Sequence, residues 1–305
     1  MSMKKQLNEY LIIDWGTSNF RVFLIGREGT LLKKKEAAMG LLQVKSGDFA
    51  STLQKILTSW LPSYQKLPIF MAGMVGSANG WFAVDYIKTP SNISKLSNSA
   101  FHFELPWGAP ATIIPGVLHI NNVNNAKDVM RGEEAQILGL MNKCEHNHIS
   151  VILPGTHSKH VCISEGEITK LSTYMTGELF SIIRQHSILG KDLPAQKFDT
   201  DIFNLGVNEG QTDQLTRTLF QVRTHNLFNK ISTSQVESYL SGLLIGNELQ
   251  AVKQQSVYLI GSSNICEKYQ LACKTLGISS TYYCGDECFL SGMLTLIQHI
   301  ISHKK

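Results

Sequence analysis

Asp14, Gly16, Thr17, Ser18 and Arg21 fall within the eight residues "DWGTSNFR", between two apolar runs. A carboxylate can organise the water shell of a divalent metal, and a glycine turn can offer backbone N–H groups to an anion. Hydroxyls add donors, and a guanidinium offsets negative charge that develops during reaction. Together these are the needs of phosphoryl transfer, which asks a protein mainly for positioning and charge stabilisation. A second stretch, "LPGTHSKHV", sets Gly155, Thr156, His157, Ser158 and Lys159 in a similar turn. Superposing Gly16 on Gly155 puts Thr17 on Thr156 and Val22 on Val161, at a constant offset of 139 residues. Leu153 takes the place of Asp14, so only the first copy carries an acid. Lys159 is a flexible point charge able to follow a phosphate. For His157, a structural role and a ligand role are both open.

Three further stretches carry candidate chemistry. "MRGEEAQILGL" opens an expected helix with Glu133 and Glu134 behind Arg131 and Gly132. Acids are favoured there by the helix dipole alone, but either could act as a base toward a hydroxyl. Successive helical residues differ in direction by about 100°, so one of the two is structural. Arg131 suits a substrate carboxylate or a plain helix-flanking charge. "MAGMVGSANGW" ends a strand in a glycine-rich loop, where Gly73, Gly76 and Ser77 let a small polar substrate approach, with Trp81 or Tyr86 as a wall or as core. Gly261, Ser262 and Ser263 lead from a strand into a helix capped by Ser or Asn, which leaves N–H groups free for a ligand. Asp286 is expected as the N-cap of the last helix.

The elements that must hold these residues alternate along the chain. Expected strands are Tyr10–Ile13, Arg21–Ile25, Ile69–Ala72, Ile149–Leu153, His160–Ile163 and Val257–Ile260. Expected helices are Phe49–Leu61, Glu133–Asn142, Leu179–Ile188, Thr233–Val252, Ile265–Leu276 and Glu287–Ser302. Alternation favours α/β architecture. At 305 residues the chain exceeds one ordinary core, which favours two lobes, 1–145 and 146–305, with the last helix free to pack back on the first.

Composition narrows the classes. With 43% hydrophobic and 17% charged residues, and no long uncharged apolar stretch, the sequence reads as neither disordered nor membrane-spanning. The apolar run after the N-terminus reaches Asp14 too soon for a signal-peptide core, so the expected location is cytoplasmic. Six cysteines form no CxxC pair and no zinc spacing. A net charge of +4 in scattered clusters leaves no footprint for nucleic acid. No G-x-G-x-x-G follows the first strand, which disfavours a dinucleotide-dependent dehydrogenase. A homo-oligomer stays open.

The stretch from Asp14 to Arg21 resembles the first phosphate loop of the sugar-kinase, hsp70 and actin superfamily. "LPGTHSKHV" is similar to its second phosphate loop, and "VYLIGSSNICEKYQLA" to its adenosine motif. "IIDWGTSNFR", "MAGMVGS", "IIPG", "VMRGEEAQILG", "PGTHSKHV", "MTGEL", "LSGLLIGNE" and "GDECFLSGM" follow one another as in the 2-dehydro-3-deoxygalactonokinase family, over nearly the whole chain. The resemblance implies two ribonuclease-H-like α/β lobes with an ATP cleft between them, and ATP and Mg²⁺ as cofactors. It implies a metal role for Asp14, phosphate contacts from both turns and from Arg21, and adenosine contacts at Gly261, Ser262 and Ser263. It puts the base at Glu133, with Glu134 as the alternative, and a small sugar-acid substrate near the Met71–Trp81 loop. A kinase of another sugar or sugar acid, or a non-catalytic nucleotide-binding module, remains as an alternative.

Overall fold

The structure is a computed structural model that describes residues 7–45 and 47–303. The chain divides into two compact units, one of Met1–Asn147, Ser164–Leu171 and Asp286–Lys305, the other of His148–Ile163 and Ser172–Gly285. Each is built on its own sheet.

In the first unit, β1 (Tyr10–Trp15), β2 (Phe20–Ile25) and β3 (Leu31–Ala37) are successive antiparallel neighbours, and β4 (Ile69–Ala72) runs parallel to β1. The chain continues through β5 (Ile87–Lys88), β6 (Phe101–Glu104), β7 (Pro110–Ile113), β8 (Val117–Ile120) and β9 (Lys127–Met130). The main sheet has the order β3-β2-β1-β4-β7-β6, and β5-β8-β9 form a small second sheet. Every residue of β1 except Asp14 is buried, as expected of a central strand covered on both faces. The acid therefore sits where the strand gives way to the turn. On β3 at the edge, Lys33, Lys34 and Lys35 keep the strand from pairing with another chain. α1 (Phe49–Thr58) buries Phe49, Leu53, Ile56 and Leu57, one stripe at helical spacing. α2 (Ile93–Asn98) and α3 (Glu133–Met141) complete this part.

In the second unit, β10 (His148–Leu153), β11 (Ser158–Ser164) and β12 (Glu167–Tyr174) precede the helices α4 (Thr176–His186), α5 (Thr200–Glu209), α6 (Leu215–Leu219), α7 (Gln221–Leu227) and α8 (Val236–Leu249). β13 (Ser256–Gly261), α9 (Ser263–Thr275) and β14 (Ser279–Cys284) follow, and the sheet has the order β12-β11-β10-β13-β14. β10, β13 and β14 are parallel. Glu165 and Gly166 both have positive φ, which suits the two-residue turn between β11 and β12. The tip of that hairpin belongs to the first unit, where Ile168 bridges Ser91. α5 and α8 approach backbone to backbone: a Cβ at Gly206 or Gly242 would overlap the carbonyl of Tyr239 or Phe203. α10 (Gly285–His303) returns to the first unit, where Gly292 packs against Ala135 and Gly139 of α3.

Both sheets thus begin with their third, second, first and fourth strands, followed by β14 in one and by its counterpart β7 in the other, where β6 adds a sixth strand at the edge. This is the ribonuclease-H-like order, and the duplication seen at the two glycine-threonine turns extends to five strands of each sheet. The expected strands and helices are all present within a few residues. Two boundaries differ with consequence: β11 begins at Ser158 rather than His160, and the helix expected from Thr233 begins with a 3₁₀ turn before α8. Among the described residues, no helix is long and apolar enough to cross a membrane.

Candidate active site

The β1–β2 register sets Asp14 directly opposite Arg21. Arg21 Nε donates to Asp14 Oδ2 at 3.1 Å, and Nη2 donates to the same oxygen. Its remaining terminal nitrogen, Nη1, donates to Asp286, which also accepts from Lys34. Asp286 is therefore not the helix cap expected from sequence but the second acid on Arg21. The start of α10 delivers it there, a long-range placement that local pattern does not reveal. Burial raises the Asp14 carboxyl above the usual range; Arg21 opposes this, and the charge of Asp286 adds to it. The turn beyond is held from behind. The carbonyls of Gly16, Thr17 and Ser18 accept from the N–H groups of Leu41, Leu42 and Gly40. A Cβ at Gly40 would overlap the Thr17 carbonyl, so only glycine allows this approach. Thr17 and Ser18 are exposed, and their N–H groups have no backbone acceptor among the described residues.

The glycine loop and the start of α3 meet at the same end of the sheet. Gly73, with φ of 94°, lies so near β1 that a Cβ would stand 3.1 Å from Asp14 Oδ1. Gly132 packs against Gly73, which brings the first turn of α3 beside that carboxylate. Both glutamates fold back onto the chain in front of the helix. Glu133 Oε2 accepts from Arg131 N at 3.0 Å, and both oxygens of Glu134 accept from Gly132 N at 2.8 and 2.7 Å. Glu134 is fully buried, and burial, reinforced by the charge of Glu133, raises it to about 8 against the pull of its backbone bonds and Arg131. Glu133 is only partly covered. The two acids thus differ in exposure, Glu134 enclosed and Glu133 partly open.

The substrate candidates have mixed placements. Arg131 is buried, with its guanidinium 4.1 Å from the centre of the Tyr86 ring and Nη2 bonded to Val84 O at 2.6 Å. Its Nε and Nη1, and the buried Ser77 Oγ, have no hydrogen-bond partner among the described residues. Gly76 lies against Arg131 Nη1, so loop and guanidinium share one place. Trp81 lies among Trp15, Phe49, Phe82 and Phe103, packed on the core of this unit.

The second turn is built alike and furnished differently. Glu178 N donates to Thr156 O at 3.0 Å, and a Cβ at Gly177 would overlap the Gly155 carbonyl. Gly177 follows the third strand of its sheet as Gly40 follows the third strand of the other. The N–H groups of Gly155, Thr156 and His157 have no backbone acceptor among the described residues. His157 pairs with Glu178 across the exposed surface. Ser158 and Lys159 depart from the expected phosphate-facing side chains, because β11 already includes them. The Ser158 hydroxyl donates inward to Glu248 at 2.7 Å, and Lys159 is buried with Nζ donating to Thr173 Oγ1 at 2.9 Å. Gly261 ends β13, Ser262 occupies the N-cap of α9 without a side-chain cap bond, and Ser263 begins the helix.

Comparison with known proteins bears on these two turns. The model of the 2-keto-3-deoxy-galactonokinase family matches residues 14–296, from the acid of the first turn into the last helix. The chain belongs to this family. It is 32% identical over 302 residues to 2-dehydro-3-deoxygalactonokinase of Escherichia coli (strain K12), covering 96% of this chain and 99% of that one. A crystal structure from Sinorhizobium meliloti, of a protein provisionally named 2-dehydro-3-deoxygalactonokinase, is similar with a TM-score of 0.88 and 30% identity. It covers 95% of this chain and 99% of that one.

For a 2-keto-3-deoxy-galactonokinase family member, the acids near the first turn are where a metal would be sought. Among the described residues no three His, Cys, Asp or Glu side chains gather as a cage. Asp14, with its Oδ1 against the Gly73 wall, fits Mg²⁺, which keeps several waters and binds through one or two carboxylates plus substrate phosphate. The sequence reading gave Asp286 a different role and missed Glu248 beneath the second turn. Glu248 did leave a signal, as an acid on an otherwise apolar helix face.

Proposed function

We propose that this chain transfers the γ-phosphoryl group of ATP to 2-dehydro-3-deoxy-D-galactonate, giving the 6-phosphate. The observation that carries this reading is the meeting of Asp14, the Gly73–Ser77 loop, Arg131 and Glu133 at one end of the first sheet, beside a turn with outward N–H groups.

In this reading the backbone of Gly16, Thr17 and Ser18, and that of Gly155, Thr156 and His157, hold the phosphates. Gly261, Ser262 and Ser263 border the adenosine. Asp14 holds the hydrated Mg²⁺, which when bound neutralises phosphate charge. Arg21, anchored by two acids, is kept in a fixed orientation near the transferred group. Glu133 accepts the proton of the substrate hydroxyl as its oxygen bonds to the γ-phosphorus and the bond to the ADP oxygen breaks. Gly73, Gly76 and Ser77 face the sugar acid, Arg131 supplies positive charge for its carboxylate, and Trp81 backs the loop from the core. Ser158 and Lys159 support the second turn from within its sheet. We assign the reaction to the cytoplasm with a small molecule as partner; none of the six cysteines is in a disulfide, as suits a reducing compartment.

A coupled ADP-release assay over a panel of sugar acids and neutral sugars tests this. Turnover should be fastest with 2-dehydro-3-deoxy-D-galactonate. Preference for a neutral sugar, or ATP hydrolysis that no sugar acid stimulates, would reject it.

A further inference from the structure

The second turn has no acid of its own, yet a carboxylate that accepts four side-chain bonds lies directly under it. Glu248, on α8, is 2% exposed. Its Oε1 accepts from Ser158 Oγ at 2.7 Å and from His160 Nε2 at 2.8 Å. Its Oε2 accepts from Tyr269 OH at 2.6 Å and from Thr176 Oγ1. These four donors fill the roughly four lone-pair sites of a carboxylate. They also come from three elements: β11, whose first residue Ser158 ends the turn, the start of α4, and α9.

We propose that Glu248 is a positioning residue for the phosphate-binding turn at Gly155–His157. Ser158 closes the turn on one side. Thr176 precedes Gly177, which packs on Gly155, and Glu178, whose backbone N–H donates to the Thr156 carbonyl. One side chain thus fixes both the exit of the turn and the element that braces it. α8 is itself firmly seated, since its Gly242 and Gly246 meet the backbone of α5 at Phe203 and Val207. A buried carboxylate that satisfies four donors is costly to replace, because each donor loses its partner where no water reaches. The N–H groups of Gly155, Thr156 and His157 are thereby held together toward an anion before it arrives, which reduces the ordering cost of binding. The inference rests on the reading of this turn as a phosphate loop.

The test compares two ligands by calorimetry: a non-hydrolysable ATP analogue, which uses the turn, and adenosine, which does not. Glu248→Gln keeps the shape but exchanges an acceptor for a donor, and should weaken the analogue about tenfold while adenosine changes less than about twofold. Tyr269→Phe removes one bond far from the turn and should weaken the analogue about threefold, again sparing adenosine. It serves as the second variant if Glu248→Gln does not fold. Equal loss for both ligands would mean general loosening of the unit and would overturn the proposal, as would unchanged analogue binding in both variants. A wild-type protein that binds no analogue would overturn the phosphate-loop reading as well.

Discussion

The two glycine-threonine turns share a scaffold and differ in where they keep their acids. Each links the first two strands of a sheet, and each has a glycine after the third strand pressed against its carbonyls, Gly40 in one and Gly177 in the other. At the first turn the acid is beside the exposed part of the turn: Asp14 is partly exposed, bonded to Arg21 and bordered by Gly73. At the second, Leu153 stands in the corresponding position and the nearby buried acid, Glu248, has its oxygens committed to protein donors. In the proposed reading both turns hold an anion, and of the matching positions 14 and 153 one carries a carboxylate. On that reading the chemistry belongs with the first copy.

The strongest way to sharpen the contrast is Glu133→Gln. On the proposed assignment of Glu133 as the base, its loss should lower kcat by about 10²- to 10⁴-fold while ATP affinity changes less than about threefold, read by steady-state kinetics and calorimetry. Normal turnover here with a dead Glu134→Gln would move the base by one position. Leu153→Ala addresses the second turn at the place matching Asp14. It should cost about 2–5 kcal/mol of stability by denaturant unfolding, with kcat within about threefold of wild type.

The two units should also respond to pH with opposite sign. Glu134, raised from 4.5 to about 8 by burial, contributes stability that is full below about 4.5 and lost as pH rises through about 8. In the other unit burial works against ionised Glu209, but bonds from Lys230, Tyr239 and His225 prevail and lower it, so its contribution is lost as pH falls. Glu134→Gln should flatten the alkaline decline in stability, whereas Glu209→Gln should flatten the acid decline; denaturant midpoints across pH give the answer. The smallest effect concerns what the turns share. Gly40→Ala and Gly177→Ala each force a Cβ into a turn carbonyl, and each should weaken ATP-analogue binding about tenfold. A loss confined to one variant would break the equivalence of the two braces.

Much of this was legible in local pattern. Apolar runs marked the central strands, and the offset between Gly16 and Gly155 marked the duplication. α5 to α7 were not legible, because the Ala195–Ser232 stretch mixes charges, phenylalanines and asparagines without a sustained stripe. β3 and β14 alternate poorly because both lie at sheet edges and carry no buried residue, so neither shows an apolar face. At the site, residue types identified Asp14, Arg21 and the two glutamates, whose bonds are local in sequence. The Arg21–Asp286 and Ser158–Glu248 bonds span 265 and 90 residues, and no spacing rule reaches that far. The same limit explains Ser158 and Lys159, whose side chains depend on where β11 begins.

The most direct measurement is the Mg²⁺ dependence of phosphoryl transfer in Asp14→Asn beside the wild type. Turnover should fall by about 10³-fold or more, and the half-saturating Mg²⁺ concentration should rise, while metal-free adenosine binding stays unchanged. If Asp14→Asn turns over within about threefold of the wild type at the same Mg²⁺ concentration, the metal is not organised at the first turn. The distinction drawn between the two turns would then be contradicted.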